Sequence, residues 1–417
     1  MRSNPTRGNR GHRPDVHGVM RTALLALTSA LLLVTSACAE RPDAISSSSQ
    51  QESEPPSGAA TPGVDRGEWT RLQESPLSPR EGVVAALVGS EVVFVGGYAG
   101  QPCPPNADCM RPGDDERDGA AYDIEVGTWR RIADAPRPVP SWAPRVAIGK
   151  QVYVLTEAAL LVWDSAEDVW DGVDLPRGVR WTGLVADGAR LILASGSDEN
   201  GIRPDHVYDT ATGQWSTLPE DPLKPSFDRF VTPTPEGLVL TAKEILPNGG
   251  PADPALVQAA LLPEGAKRWR PLPQSDQLGG WTWTWTGRRL VDATLGGADG
   301  GETNNFGRVI PYGGRFEPST EVWSRLPDAP QEGTGGWLVE AFGGPLVATG
   351  GWLYDDTAET WTRLPRPRGA PAEPGSAVWA DDALLVHGGA EWGGVDTTEE
   401  WTAKNVWSTA TWIYRPR

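Results

Sequence analysis

The stretch TEVWSRLPDAP at residues 320–330 contains a phrase that recurs along the whole chain. A tryptophan, two residues and an aliphatic residue, soon followed by proline, appear again in AETWTRLPRPR at residues 358–368. Sequence repeats of this length indicate units that bury their apolar surface only against neighbouring units. The chain is therefore predicted to be a repeat protein. The seven copies of the phrase, 38 to 60 residues apart, begin at Trp69, Trp129, Trp170, Trp215, Trp269, Trp323 and Trp361.

The sequence of each unit also predicts a β-hairpin whose second strand begins at the tryptophan. Apolar runs such as EVVFVGG at residues 91–97 indicate strands, and turn residues such as those in YDTATGQW at 208–215 indicate a hairpin. Four short antiparallel strands per unit are typical of a β-propeller blade. An aromatic residue followed by an acid stands seven residues before five of the tryptophans, at Tyr122-Asp123, Trp163-Asp164, Tyr208-Asp209, Phe316-Glu317 and Tyr354-Asp355, whereas the unit of Trp269 has Leu262-Pro263.

These patterns resemble the kelch-repeat β-propeller family over about residues 68–417. The resemblance implies an all-β propeller and by itself no activity. The first phrase, EWTRL at 68–72, has no strands before it, and the last strand, around Tyr414, ends before its tryptophan. We therefore predict seven blades, with residues 68–72 forming the outer strand of the last blade and closing the ring. Besides the tryptophans and Tyr-Asp pairs, the resemblance rests on diglycines, which units two to four lack, at Gly96-Gly97, Gly350-Gly351 and Gly388-Gly389.

The N-terminus has the features of an export signal. Several arginines precede the apolar run TALLALTSALLLVTSA at residues 22–37, which is short for a membrane span. TSAC at 35–38 resembles the bacterial lipobox, with Thr35 where an aliphatic residue is usual. We expect a signal peptide at 1–37, a lipid on Cys38, a flexible Ser/Pro/Gly-rich tether at 38–67 and the propeller at 68–417. The protein is then an extracytoplasmic lipoprotein at the cell membrane, with plain secretion or an uncleaved anchor as alternatives.

Charge and cysteine content limit the partners. The formal net charge of −18 at pH 7 opposes binding to nucleic acid, and to anionic membranes except through the lipid. Cys103 and Cys109 bracket a short loop, and outside the cytoplasm a disulfide between them is expected, with a metal-binding pair as the alternative.

The sequence contains no recognisable catalytic or cofactor motif. It has no Ser/His/Asp spacing, glycine-rich phosphate loop or CxxC pair. His12 and His17 fall within the signal, so His206 and His387 remain, which is too few for a histidine-rich metal site or for a copper radical oxidase of the kelch type. We expect no metal, no cofactor and a monomer.

Long insertions interrupt four units between their second and third strands. Antiparallel order places these loops on one face of the propeller, together with the connections between blades. Loops on a rigid scaffold commonly carry recognition, although neutral loop growth is the alternative. In one insertion Asp299, Glu302, Asn304 and Asn305 match no strong calcium motif, so a solvated loop is favoured. The insertions occupy residues 99–119, 243–258, 296–308 and 388–408.

Two sets of side chains lie near the start of the first, innermost strands. Arginines there are candidates to bind a carboxylate or a sialic-acid-like anion at the channel mouth, with local ion pairing as the alternative. Tryptophans there are interpreted as packing between blades rather than as a sugar-stacking platform. The arginines are Arg80, Arg145, Arg180 and Arg229, and the tryptophans are Trp142, Trp181, Trp337 and Trp379.

Two functional hypotheses follow. The favoured one is a cell-surface binding module for an extracellular glycan or protein, which uses the face that carries the insertions. The alternative is a carbohydrate-active enzyme, such as a mutarotase or epimerase acting on acidic sugars, because such chemistry needs only a general acid and a general base. The sequence does not decide whether the protein is an enzyme, and it assigns no catalytic residue.

Overall fold

The computed structural model confirms an all-β propeller of seven four-stranded blades. It describes residues 67–102, 111, 113–179, 182–246, 254–280, 282–295, 303–305, 308–327, 330, 335–391 and 406–416. These residues belong to one compact unit, Gly58–Arg417, and contain no helix. Cys38, Cys103, Cys109 and Arg180 lie outside the described residues.

The strands follow one another around the ring in chain order. The short strand β1 (Glu68–Arg71) comes first. Blade 1 comprises β2 (Val84–Val88), β3 (Glu91–Val95), β4 (Gly119–Asp123) and β5 (Thr128–Ile132). Blade 2 comprises β6 (Arg145–Ile148), β7 (Gln151–Leu155), β8 (Ala159–Asp164) and β9 (Val169–Asp174). Blade 3 comprises β10 (Thr182–Asp187), β11 (Arg190–Ser195), β12 (His206–Asp209) and β13 (Gln214–Thr217).

The remaining four blades have the same order of strands, with two additions in the insertions. Blade 4 comprises β14 (Ser226–Thr234), β15 (Gly237–Glu244), β16 (Val257–Pro263) and β17 (Arg270–Pro271). Blade 5 comprises β18 (Thr284–Trp285), β19 (Leu290–Asp292), β22 (Gly314–Glu317) and β23 (Val322–Ser324), with the hairpin β20 (Thr303–Asn305) and β21 (Arg308–Ile310) inserted. Blade 6 comprises β24 (Ala341–Gly343), β25 (Leu346–Thr349), β26 (Trp352–Asp355) and β27 (Thr360–Arg363). Blade 7 comprises β28 (Glu373–Ala380), β29 (Ala383–Glu391), β31 (Thr411–Arg415) and β1, with β30 (Val406–Trp407) beside β29.

The ring is closed by the predicted pairing of the two ends of the propeller. β1 pairs antiparallel with β31, and Trp69 lies directly opposite Tyr414. Their rings are 5.0 Å apart, and Trp69 also contacts Trp337 of blade 6. Blade 7 is thus built from both ends of the propeller, and its outer edge is covered.

Each blade buries both faces of its sheet. In β3, Val93 and Val95 pack into a cluster with blade 2, whereas Val92 and Phe94 pack into a cluster with blade 7. Successive side chains of a strand point to opposite faces, so a strand covered on both sides is apolar throughout. Seven such clusters separate the seven blades in the described structure.

The repeated phrase has a structural role at the contact between blades. The seven tryptophans that begin it, Trp69 to Trp361, are here called the hook tryptophans. In five blades the indole N–H of the hook tryptophan donates to the backbone carbonyl four residues after the hook tryptophan of the preceding blade. These bonds, of 2.6 to 3.1 Å, run from Trp129 to Gln73, Trp170 to Ala133, Trp269 to Pro219, Trp323 to Pro273 and Trp361 to Pro327.

The diglycines are required by backbone contacts. Gly350 and Gly351 both have positive φ, and a Cβ at Gly351 would lie 2.4 Å from the backbone nitrogen of Gly336. Any larger residue would separate the second strand from the start of the first strand of the same blade. Gly97 and Gly389 contact backbone atoms of Glu81 and Glu373 in the same way.

Candidate ligand-binding site

The two faces of the propeller carry different loops. The first face bears the loops between second and third strands and the connections between blades, and is here called the loop face. The opposite one, the hairpin face, bears the tight turns between first and second and between third and fourth strands. This follows from the antiparallel order in every blade.

The described parts of two insertions meet on the loop face. The indole of Trp407 in the blade 7 insertion donates to the carbonyl of Gly100 in the blade 1 insertion, at 2.8 Å. Arg111 binds Glu81 at 2.6 Å and lies over the ring of Tyr98. The blade 7 and blade 1 insertions are therefore connected to each other, and the blade 1 insertion also contacts the segment that precedes β2.

The first strands of the seven blades surround a central channel. Neighbouring first strands contact one another all around the ring, and the enclosed cavity is about 850 Å³. Arg145, Glu340 and Glu373 are the ionisable residues that line it within the described structure. Each precedes or begins the first strand of its blade, so all three lie at the loop-face end. The opposite end is lined by small and apolar residues such as Ala147, Ala186 and Gly344.

Arg80 and Arg229 do not line the channel. Arg80 is 3% exposed, forms an ion pair with Asp118 and donates to the carbonyls of Ser78 and Gly96. Burial alone would raise the pKa of Asp118, but the neighbouring arginines outweigh it and lower this pKa. Arg80 thus makes the local ion pairing that was the alternative to ligand binding.

Arg229 is surrounded by three carboxylates. Its Nη atoms lie 3.0 to 3.5 Å from Asp198, Asp205 and Asp221, and its Nε donates to the carbonyl of Ser195. Burial alone would lower the pKa of Arg229, but the three carboxylates outweigh it and raise this pKa. The cluster joins blades 3 and 4, and these contacts engage the guanidinium inside the protein.

Arg145 is the one described candidate arginine that lines the channel. It begins β6, and its Nε donates to the carbonyl of Ala85 in blade 1 at 3.0 Å. Its two terminal nitrogens make no hydrogen bond or ion pair within the described residues, and burial lowers the pKa of its guanidinium. The predicted crescent of arginines is therefore represented here by Arg145 alone.

Trp142 is a candidate ligand-binding residue, although its position in the repeat predicted that it packs between blades. Trp337 and Trp379 are 1% and 7% exposed and do pack between blades, whereas Trp142 is 54% exposed. It borders both the channel and a second cavity of about 590 Å³. The packing interpretation is therefore wrong for Trp142, while Trp181 lies outside the described residues.

The backbone at Trp142 is strained. Its φ is +63°, and the N–H of Ala143 donates to the carbonyl of Pro140, so Trp142 occupies the third position of a tight turn. A positive φ there is usual for glycine and costs a bulky residue roughly 1–3 kcal/mol. Contacts with blade 1 hold the turn, since Asp115 accepts from Ser141 and the carbonyl of Gly82 accepts from the N–H of Trp142. One feature of the sequence could have indicated this unusual turn: Trp142 stands between Pro140 and Pro144, where other units have glycine.

Glu340 faces the channel under unusual electrostatic conditions. Its side chain is exposed to the channel, and partial burial of the carboxyl beside the channel wall raises its pKa. A carboxyl that binds a proton more readily than usual and lies in a cavity with an arginine is able to act in general acid–base chemistry.

Neither of the two described histidines lines the channel. His387 is buried in blade 7, where its Nδ1 lies 2.8 Å from Thr411 Oγ1, and burial lowers its pKa to about 4. Half-buried His206 lies in β12. In the portion of the chain that the structure describes, no group of three or more His, Cys, Asp or Glu is placed to hold a metal ion. A search of the same residues finds no helix able to cross a membrane.

The fold and the channel mouth define the chain as a seven-bladed β-propeller with a polar, partly aromatic opening on its loop face. No protein-family model matches the sequence. No curated protein matches it either.

Proposed function

We propose that the chain is a divergent kelch-type propeller that acts as an extracytoplasmic binding module for a glycan or protein ligand through its loop face. The supporting observation is the position of the two ends of β1. This strand starts on the hairpin face, where Glu68 pairs with Arg415 at the end of β31. A tether before residue 68 would join the propeller at the hairpin face and leave the loop face turned away from the membrane.

The anchor itself is part of the proposal. Lipidation of Cys38 makes the membrane contact, and the acidic propeller makes none of its own. Cys38→Ser should move the full-length protein from the membrane fraction to the medium and remove palmitate labelling. Cys103→Ser is the matched control and should stay in the membrane fraction. Membrane retention of the Cys38→Ser protein would contradict the lipid anchor.

Replacing insertion loops tests the binding face. The replaced segments are chosen so that the blades stay intact. Residues within 113–118 form hydrogen bonds to blade 1, and residues 406–408 pair with β29 of blade 7, so both segments are kept. The full chain with residues 103–110 and 392–405 replaced by short Gly-Ser links should lose capture of a ligand from cell-wall or culture fractions. The protein with both loops replaced should still unfold in a single cooperative thermal transition, which shows that the blades remain folded.

A matched control places changes on the other face. Val126, Val169 and Val322 are exposed apolar residues near hairpin-face turns. Their joint replacement by serine should leave capture intact. Capture that survives the loop replacements, or that is lost in the hairpin-face variant, would contradict the loop face as the binding surface.

A second candidate function is favoured by Glu340 alone. The raised pKa of this carboxyl, in one cavity with Arg145, fits proton transfer in a sugar mutarotase or epimerase. Anomer interconversion of an acidic sugar, followed by NMR, should then be faster with the protein and slower again with Glu340→Gln. Equal rates with and without protein over a panel of sugars would exclude this activity.

A further inference from the structure

The channel mouth combines the exposed indole of Trp142 with the guanidinium of Arg145, whose terminal nitrogens have no partner in the described part of the chain. Trp142 is held in a strained conformation that exposes its indole, and such strain commonly occurs where a residue clamps a ligand. At Gly82 and Gly279, which have similar positive φ values, an added Cβ would contact neighbouring atoms at 2.6 and 1.9 Å. The turn in blade 2 therefore differs from those of blades 1 and 5 in having room for a large side chain.

Arg145 lies three residues further along the chain and lines the same cavity. Its Nε is fixed by the carbonyl of Ala85, so the guanidinium is oriented before any ligand arrives. A guanidinium whose two terminal nitrogens have no partner among the described residues is suited to one carboxylate, which it binds through two parallel hydrogen bonds.

Two carboxylates on other blades limit the charge of the ligand. Glu340 precedes β24 of blade 6, and Glu373 begins β28 of blade 7. Among the described residues that line the mouth, they and Arg145 give one positive and two acidic groups, which opposes a ligand with several negative charges. Carboxylates accept hydrogen bonds from hydroxyl groups, so Glu340 and Glu373 are suited to contact a polyhydroxylated ligand.

We propose that Trp142 and Arg145 form a subsite for a pyranose that carries a single carboxylate, such as a hexuronic acid unit of a glycan. The apolar C–H face of the ring stacks on the indole, and the carboxylate binds Arg145. Glu340 and Glu373 contact the ring hydroxyls. The second cavity, beyond Trp142 and lined by Thr156 and Glu157, has room for the neighbouring sugar. This inference rests on the proposed function, since it names the ligand class of the loop face.

Calorimetry and saturation-transfer NMR on the full-length mature protein test the subsite. The probe is methyl β-D-glucuronide, and the neutral match is methyl β-D-glucoside; both have a locked anomeric centre, so binding is separated from anomer interconversion. We expect the glucuronide to bind at least about tenfold more tightly than the glucoside. Arg145→Gln should abolish this difference, and Trp142→Gly should weaken both probes about tenfold or more.

Stability distinguishes a ligand residue from a packing residue. Because glycine relieves the strain at this position, Trp142→Gly should leave the Tm unchanged or higher. The matched control for Arg145→Gln is Arg288→Gln, an exposed arginine between β18 and β19 on the hairpin face, which should bind both probes like the unchanged protein.

Several outcomes would overturn the subsite. These are no binding of the glucuronide at about 10 mM, equal affinity for the two glycosides, or unchanged affinity in either variant. Cyclohexanecarboxylate binding as tightly as the glucuronide would also overturn it, since a carboxylate on any apolar ring would then suffice. Ligand capture that still depends on the insertion loops would, in that case, leave the proposed function standing without this subsite.

Discussion

At the scale of single residues, the hook tryptophan explains why one phrase is repeated through the chain. It packs on the aromatic residue opposite it in its own hairpin, and in five blades it donates to the preceding blade. The aromatic residue seven places before it is its direct cross-strand partner. Ring centroids are 4.5 to 6.4 Å apart in Tyr122–Trp129, Trp163–Trp170, Tyr208–Trp215, Phe316–Trp323, Tyr354–Trp361 and the pair Tyr414–Trp69 that closes the ring.

Replacement of one hook tryptophan measures this link between blades. Trp361 is almost fully buried, and its indole donates to the carbonyl of Pro327 at 2.9 Å. Trp361→Phe removes the donor and leaves unfilled volume, so the free energy of unfolding should fall by about 1–3 kcal/mol. Urea denaturation measures the loss. Trp142→Phe, at an exposed tryptophan, should change little, and equal losses in the two variants would contradict the inter-blade role.

His387 predicts a pH dependence of stability. Burial, with a contribution from nearby Arg80, lowers the pKa of His387 to about 4 from 6.5. Between these values the unfolded chain binds a proton that the folded protein does not. Stability is therefore lost as the pH falls below 6.5, by about 2 kcal/mol at a pH of about 5.

Asp292 acts in the opposite direction, so the His387 effect has to be measured as a difference. Burial raises the pKa of Asp292 to about 6 from 3.8, and stability from this group therefore increases as the pH falls through that range. His387→Asn, which keeps an amide near Thr411, should lose less stability between pH 7 and about pH 5 than the unchanged protein. Parallel pH profiles of the two proteins in urea denaturation would contradict this assignment.

The limit of sequence inference at this scale is visible in three arginines and one tryptophan. Arg80, Arg145 and Arg229 stand near comparable strand starts, but whether each has a carboxylate partner depends on residues such as Asp118 and Asp198 that are distant in sequence. Likewise, the sequence does not show that the turn at Trp142 points its side chain outward.

At the scale of elements, the hairpin between third and fourth strands is the most regular part of the fold. An aspartate at its start accepts from two backbone N–H groups of the turn in blades 1, 2, 3 and 6. The residue two places before the hook tryptophan has positive φ in five blades. The aspartates are Asp123, Asp164, Asp209 and Asp355, and the positive-φ residues are Gly127, Asp168, Gly213, Glu321 and Glu359.

Two of these positive-φ residues are glutamates, Glu321 and Glu359, and replacement by glycine is predicted to change stability in opposite directions at the two positions. Glu321 pairs with exposed Arg270, whereas Glu359 pairs with Arg289 and Arg315, which are nearly buried. Glycine relieves the backbone at both positions. Glu321→Gly should therefore be neutral or stabilising by up to about 1 kcal/mol, because an exposed ion pair contributes little.

Glu359→Gly should destabilise by about 1 kcal/mol, a value reduced for the partial exposure of Glu359. Differential scanning calorimetry of the two variants gives the comparison, with each serving as the control for the other. A lower Tm for Glu321→Gly than for Glu359→Gly would contradict the importance of the buried arginines.

The elements themselves were largely predictable because their pattern is local. The apolar runs 91–97 and 190–196 contain β3 and β11, and the turn residues mark the hairpins. Blade 5 was harder, since β18 and β19 have only two and three residues despite the alternating sequence around Trp283 and Trp285. The hairpin of β20 and β21 was not predicted either, because each of its strands has only three residues.

At the scale of the whole molecule, the closure of blade 7 was predictable from the two incomplete ends of the repeat. The contribution of this closure to the free energy of unfolding is testable by truncation. A protein that starts at residue 73 lacks β1 and with it Trp69, and it should lose at least about 3 kcal/mol of stability, since it also leaves β31 as an open edge. The matched control starts at residue 67 and should unfold like the mature protein. Identical urea midpoints would contradict the role of β1 in closing the ring.

The predicted ring and the predicted loop face were confirmed, whereas the arginine crescent depended on details of pairing that a repeat pattern does not encode. Each blade repeats the same backbone path, so an average over units predicts it well. The proposed subsite lies where one unit departs from that average, as blade 2 does at Trp142.

The direction of β1 has a mechanical consequence. A load pulling on a captured particle at one face and on the polypeptide before residue 68 at the other would run along the length of this strand. β1 pairs with β31 through four residues, and the hydrogen bonds between antiparallel strands are perpendicular to the strands. Such a load would therefore shear these hydrogen bonds together rather than open them one after another. The seam that completes the ring is thereby oriented to resist such a load.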